Sequence, residues 1–253
     1  MRQPVRFASQ DGTDKKRVKA AVIHGDHQWL ETYFQKNPAH LNTLMLQIGV
    51  ADRSALCLQI ATDHRDLATV ELLLRLGANP LANPGPHISA FADACASRDV
   101  PMILLYLRMG ANYLQPQSTT SASVLQECVE RGWVAALVIL LDHAKAHGTL
   151  KDILLHQLDQ HGDNLLALAC YKQKNLVALT LWIYAQQAGI LKPVLTATTS
   201  QTERLPLHFA ARDDDFHDLV ALMLNEMRHS PVSPPPCSFF PLLIVHFSGG
   251  NGH

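Results

Sequence analysis

The strongest constraint in this sequence is that it repeats itself. Ala61 reappears as Ala94, Leu67 as Val100, Val70 as Ile103, Leu74 as Leu107, Gly77 as Gly110 and Asn79 as Asn112, every pair 33 positions apart. Leu-Gly-Ala-Asn (76–79) recurs as Met-Gly-Ala-Asn (109–112) at that same offset. Self-similarity at a fixed period of this length marks a chain of small units that bury their apolar faces against each other. The 253 residues leave room for several such units.

Further along, Leu205-Pro-Leu-His-Phe-Ala-Ala211 is followed by Leu219, Leu222 and Met223 at helical spacing. A fourth unit runs through Leu125, Cys128, Gly132, Val134, Leu137 and Leu141. A fifth runs from Gly162-Asp-Asn-Leu-Leu-Ala-Leu-Ala-Cys170 to Leu176, Leu179 and Ile183. Val18, Ala21, Gly25, Leu30, Tyr33 and Phe34 trace a weaker first unit. These segments resemble ankyrin repeats, whose unit is a turn, a helix opening Thr-Pro-Leu-His-x-Ala-Ala, a second helix with Val-x-x-Leu-Leu, and a closing Gly-Ala-Asp/Asn. Several openings here lack Thr-Pro, and some spacings approach 40 rather than 33. The resemblance implies an all-α ankyrin-repeat solenoid of helix-turn-helix units with short turns or β-hairpin tips. Residues 1–15 form a lead and 16–228 the array, with six units starting near 16, 56, 89, 123, 164 and 205.

The residues explain such a fold. Pro206 suits a first helical position, where a missing N–H costs nothing. Cys95, Cys128 and Cys170 stand in for the small alanines that let helices approach. Gly77, Gly110, Gly148 and Gly189 close the second helices. Leu141 lies seven residues before its glycine where Leu74 lies three before its own, which predicts an outer helix about one turn longer in the fourth unit. The fifth is extended similarly, and Lys151–Gln160 reads as a further short amphipathic segment. From 229 to 253 the chain is Pro-rich, then apolar, then Gly-rich, and reads as a disordered tail.

Bulk properties exclude several functions. A net charge of −1 supplies no field for nucleic acid or an anionic membrane. No run approaches the roughly 18 apolar residues of a spanning helix, and the N-terminus has no apolar signal core. Five widely spaced cysteines suit free thiols in a reducing, cytoplasmic setting. The basic group Lys15, Lys16, Arg17 and Lys19 reads as a solvated helix start. His143 and His147 share a helix face but lack a third metal ligand, and Asp213, Asp214 and Asp215 with His217 read as a solvated turn. His208 belongs to the repeat signature and is expected to bond backbone in its turn. There is no phosphate-binding Gly-rich loop, no Cys-x-x-Cys and no nucleophile signature, so neither a cofactor nor a metal nor enzymatic activity is expected.

What the resemblance implies instead is a monomeric scaffold that holds another protein, through a concave groove of first helices and through the turn tips. Its variable positions fall on His24, Asp63, His64, Ser97, Glu130, Arg131, Tyr171, Lys172, Arg212 and Asp213, with Asn83, His87, Tyr113 and Gln115 at the tips. Tyr171 and Arg131 are the preferred anchors, because Tyr and Arg are enriched among residues that dominate binding energy. The uneven units, rich in Gln, Asn, His and Leu, look like ankyrin proteins that intracellular bacteria deliver into host cells. The alternative is the regulatory or targeting arm of a larger enzyme.

Overall fold

A computed structural model describes residues 10–48, 53–82, 88–117, 122–156, 159, 161–197, 205–212 and 216–228. The apolar tail, 229–253, lies outside them. The chain divides into two compact bodies, residues 1–147 and 148–253.

In the first body the order is α1 (Gln10–His24), α2 (His27–Lys36), α3 (His40–Thr43), β1 (Leu46–Ile48), β2 (Arg53–Ala55), α4 (Cys57–Asp63), α5 (Leu67–Arg75), α6 (Ala90–Ala96), α7 (Val100–Arg108), α8 (Val124–Arg131) and α9 (Val134–Ala146). Helices α1, α4, α6 and α8 pack in sequence as an inner layer, and α2, α5, α7 and α9 as an outer layer. The core lies between the layers, where Leu30, Leu58, Leu73, Phe91, Met102, Ile103, Tyr106, Leu125 and Leu137 are fully buried. Each such side chain contributes about 1.5–3 kcal/mol. Strands β1 and β2 form an antiparallel hairpin with Leu46 opposite Ala55. Lys19 pins α1 to it through its Nζ on the Gln47 carbonyl, 2.6 Å away. Arg17 lies over the Trp29 ring at 4.9 Å. Lys19 and Arg17 of that basic group are therefore spent on internal contacts, and α1 begins inside the segment read as a lead.

The second body runs α10 (Leu150–His156), α11 (Leu165–Tyr171), α12 (Asn175–Gln187), α13 (Leu191–Thr196), α14 (Pro206–Ala210) and α15 (His217–Arg228). Here α11 packs on α14, and α13 touches α12, α14 and α15.

The uneven spacing of the units has a plain cause. Helices α9 and α12 have 13 residues where α5 and α7 have 9, one turn more, as the leucine-to-glycine spacing predicts. Each long unit also carries a short helix after its outer helix, namely α3, α10 and α13; the two short units, starting near 56 and 89, have none among the described residues. Ile153 and Leu154 bury one side of α10.

The inner helices of both bodies start in two chemical ways. Where an inner helix is preceded by Ser89, Ser123 or Asn164, that side chain accepts the N–H of Ala92, Gln126 or Ala167. Where leucine occupies the cap, the third helical residue reaches back, as Gln126 also does to the Ser123 N–H. The Leu56 N–H donates to Gln59 Oε1 (2.9 Å) and the Leu205 N–H to His208 Nδ1 (2.8 Å). His208 thus bonds the backbone of its own turn, which explains why the repeat signature carries a histidine there. The outer helices α2, α5 and α7 begin on Asp26, Asp66 and Asp99, each accepting a backbone N–H.

The turn ahead of each of the outer helices α2, α5, α7, α9 and α12 holds a left-handed residue. Gly25 and Gly132 supply it, but Arg65, Arg98 and Gln173 hold the same position with φ of 56–57°. A side chain there costs roughly 1–2 kcal/mol, partly offset by glycine's greater freedom when unfolded. Arg65 also pairs with Asp99 at 3.6 Å, so Arg98 is the cleaner probe. Arg98→Gly is expected to stabilise the chain by about 0.5–1 kcal/mol in urea unfolding. A loss of stability would show that Arg98 makes a contact worth more than its strain.

Candidate interaction faces

The inner helices end at the residues left open to a partner. In the first body, Asp63 and His64 close α4 and are exposed, as are His24 and Ser97 at the ends of α1 and α6. Arg131 closes α8. Its guanidinium stands 3.6 Å from Glu127 Oε1 and 5.5 Å from the Trp133 ring centre, while Glu130 beside it is half-buried. Two contacts therefore hold a long cationic side chain in place at a helix end.

In the second body the equivalent end of α11 carries Tyr171 and Lys172. Tyr171 is 51% exposed, and its ring meets buried Phe209 of α14 edge-on at 5.7 Å. Lys172 Nζ lies 5.7 Å from the Tyr171 ring centre. Arg212 is exposed just past α14, and Asp213 lies outside the described residues. Arg131 and Tyr171 belong to different bodies, so each is supported by its own surroundings.

Tyr113 does not stand at a tip. It is 6% exposed. Its carbonyl accepts the Leu125 N–H at 3.1 Å, its ring meets His143 edge-on at 5.7 Å, and its hydroxyl lies 3.4 Å from His143 Nδ1. The segment after Gly-Ala-Asn folds back against α8 and α9 and takes the aromatic ring with it. Burial raises the Tyr113 phenol above its usual range. Gln115 remains exposed, whereas Asn83 and His87 lie outside the described residues.

Two adjacent carboxylates in the inner layer were not singled out from the sequence. Asp93 and Glu127 each occupy the fourth helical position after a serine cap, Ser89 and Ser123 respectively. The same position holds buried Ile60, Leu168 and Phe209 in other units. Aligning units from their caps exposes this exchange of apolar for acidic; reading the glycine phrases alone does not. Asp93 lies beside Asp63 of the preceding unit. Burial and the Asp63 charge push Asp93 up to about 7.

Other reactive groups are committed to the fold. Cys57, Cys95, Cys128 and Cys170 are free and buried, and burial pushes Cys57 and Cys170 up to about 12, away from thiolate chemistry. The His143 and His147 rings lie tilted by 32° with their centres 4.1 Å apart. His147 Nδ1 lies 2.8 Å from the His143 carbonyl. Burial and the neighbouring His147 lower the His143 pKa. Among the described residues no group of three His, Cys, Asp or Glu could hold a metal, and no helix is long and apolar enough to cross a membrane.

Paired helices repeated in tandem, with hairpin or turn tips, define a helical-repeat protein. No known family profile matches the sequence, and no curated protein does. Solved structures do. An ankyrin repeat domain from Acinetobacter baumannii AYE superposes with a TM-score of 0.54 at 18% identity, covering 83% of this chain and 96% of that one. The ankyrin repeat protein EF0377 superposes at 0.53 and 13% identity, covering 82% and 96%. The chain has the ankyrin-repeat fold. Ankyrin repeats generally serve as protein-interaction scaffolds and are typically not catalytic.

Proposed function

We propose that this chain is a scaffold that binds a partner protein through the exposed ends of its inner helices. The residues concerned are Asp63, His64, Glu130 and Arg131 in the first body, and Tyr171, Lys172 and Arg212, with Asp213, in the second. The observation that supports this best is Tyr171: an aromatic ring half open to solvent, propped edge-on by Phe209. An aromatic anchor held by packing loses little freedom on binding and buries a large area. Arg131, laid over Trp133, is held in the same manner.

The test is capture of partners by the full chain, compared with a Tyr171→Ala/Arg131→Ala variant and read by mass spectrometry. Both side chains are exposed, so the variant should keep its circular dichroism spectrum. The expected result is a protein retained by the natural chain and lost by the variant, each anchor being worth about 2 kcal/mol or more. A partner retained equally by a folded variant would place binding elsewhere. The likeness to ankyrin proteins of intracellular bacteria extends the proposal to a eukaryotic host partner. Retention of bacterial proteins alone would remove that extension.

A further inference from the structure

We propose that Arg228-His-Ser-Pro-Val-Ser-Pro234, with Pro235 and Pro236 after it, is a docking segment for a second protein. The partner it fits is a small domain of SH3 type, with an aromatic-lined groove that takes a polyproline II helix and an acidic rim that pairs with an arginine. This goes beyond the scaffold reading and does not use the helix ends that carry Arg131 and Tyr171.

From 228 to 236 the sequence is Arg-His-Ser-Pro-Val-Ser-Pro-Pro-Pro, four prolines in nine residues and no carboxylate. Residues 229–236 lie outside the described part of the chain, and their order carries the chemistry. Each proline fixes its own φ at about −65° and lacks an N–H. Each also holds the residue before it to extended backbone, which adds Ser230 and Ser233 to the restricted set. A segment of this composition is preorganised for polyproline II, so a groove that takes it loses little affinity to ordering. Addition to a helix or a sheet edge suits it poorly, because the missing donors break either ladder.

Polyproline II turns once every three residues. Arg228, Pro231 and Pro234 are three apart, so in that conformation they share one edge, about 19 Å from first to last. Two prolines at this spacing suit the slots between aromatic rings in grooves of this kind. The arginine stands one turn ahead of them, where its fork can take a carboxylate in two parallel bonds and set the direction of entry. Arg228 is open to such a partner. It is exposed and closes α15, and among the described residues it meets no carboxylate. One turn back, Leu224 and Asn225 offer none, and Glu226, two residues back, belongs to another face of the helix. Arg65, Arg108 and Arg131, by contrast, are paired with Asp99, Glu71 and Glu127.

The test is binding of the purified full chain to a panel of immobilised SH3 domains, with WW domains alongside, read by biolayer interferometry. At least one SH3 domain should bind the natural chain. Pro231→Ala/Pro234→Ala should weaken that complex about tenfold or more, since it removes both the contacts and the preorganisation. Arg228→Gln should weaken it about tenfold, the size of one charge-assisted hydrogen bond, and should remove most of its salt dependence. Tyr171→Ala/Arg131→Ala should leave it unchanged. Capture by no SH3 domain, by WW domains alone, or equally by the proline variant would overturn the inference and leave the scaffold reading standing. Indifference to Arg228→Gln would overturn the acidic rim. A complex lost with Tyr171 and Arg131 instead of with the prolines would overturn the docking segment and place that domain on the helix ends.

Discussion

Replacing Tyr106 with alanine should lower the stability of the first body by about 4 kcal/mol, the range for deleting a fully buried aromatic ring. Tyr106 on α7 is completely buried and stacks on Phe91 of α6 with ring centres 5.0 Å apart. Its hydroxyl lies 2.6 Å from Thr62 Oγ1 on α4, 44 residues away, so one side chain bridges two neighbouring units. The direction of that bond can be assigned. Thr62 has a single hydroxyl hydrogen, and its Oγ1 also stands 2.8 Å from the Leu58 carbonyl, which can only accept. The threonine therefore donates to Leu58, and the tyrosine donates to the threonine. Burial raises the Tyr106 phenol and keeps it neutral, as a donor must be.

That assignment sets an order among three variants. Tyr106→Phe removes a donor while Thr62 keeps its bond to Leu58, a loss of about 1 kcal/mol. Thr62→Val strands the phenolic O–H in the core with no acceptor, costing about 2 kcal/mol. Tyr106→Ala also opens a cavity and forfeits the stacking on Phe91. Urea unfolding followed by circular dichroism reads all three. If Tyr106→Phe proved more damaging than Thr62→Val, the direction assigned to the bond would be wrong. In a repeat fold such interactions between units set how cooperatively they unfold, so the alanine variant should also broaden the transition.

This bridge was not legible in the sequence, and the reason is general. The 33-residue offset aligns Ala61 with Ala94 and Gly77 with Gly110, which places helices and their closing glycines. It reports what units have in common, whereas Thr62, Tyr106, Asp93 and Glu127 are departures from the common pattern. His208 was legible for the opposite reason: it belongs to the shared signature, and its bond to the Leu205 N–H follows from the missing cap. The extra turn in α9 and α12 could be counted from leucine to glycine. Helix α13 could not, because Leu-Lys-Pro-Val-Leu-Thr carries a proline and two β-branched residues that disfavour a helix until neighbours hold it. Tyr113 misled because its place in the repeat suggests an exposed tip, and only its packing against His143 reveals the burial. The exposed helix ends bearing Arg131 and Tyr171 followed directly from register, since that position is fixed once the helix is.

Asp93→Asn should raise stability at pH 8 and erase a pH dependence that the natural chain shows. The usual pKa of an aspartate is 3.8, and Asp93 is pushed up to about 7 by burial and by Asp63. Between those values the folded chain holds a proton that the unfolded chain has released. Unfolding then releases a proton, so stability falls as pH rises from about 4 to 7 and is flat above. A shift of this size corresponds to roughly 4 kcal/mol when taken at full value. Asp93 is half-buried and its partner Asp63 is exposed, so solvent screening reduces the expected loss to about 1–2 kcal/mol. The groups facing Asp93 bring no cation: Asp63 carries like charge, and burial keeps the Tyr106 phenol neutral. Asp66 titrates oppositely. Its bonds from Thr69 and Ala68 and the nearby His27 lower its pKa despite the cost of burial, so its contribution changes only below about 4. Between pH 5 and 8 His143, its pKa lowered from the ordinary 6.5 by burial and His147, adds a change of opposite sign; both proteins carry it, so the difference between them reports Asp93. Urea midpoints for both proteins at those two values decide the matter. The natural chain should be the weaker at pH 8 and the difference should shrink towards pH 5, because a protonated aspartic acid and an asparagine are both uncharged beside Asp63. Parallel midpoints at the two pH values would mean that burial and Asp63 do not raise the Asp93 pKa.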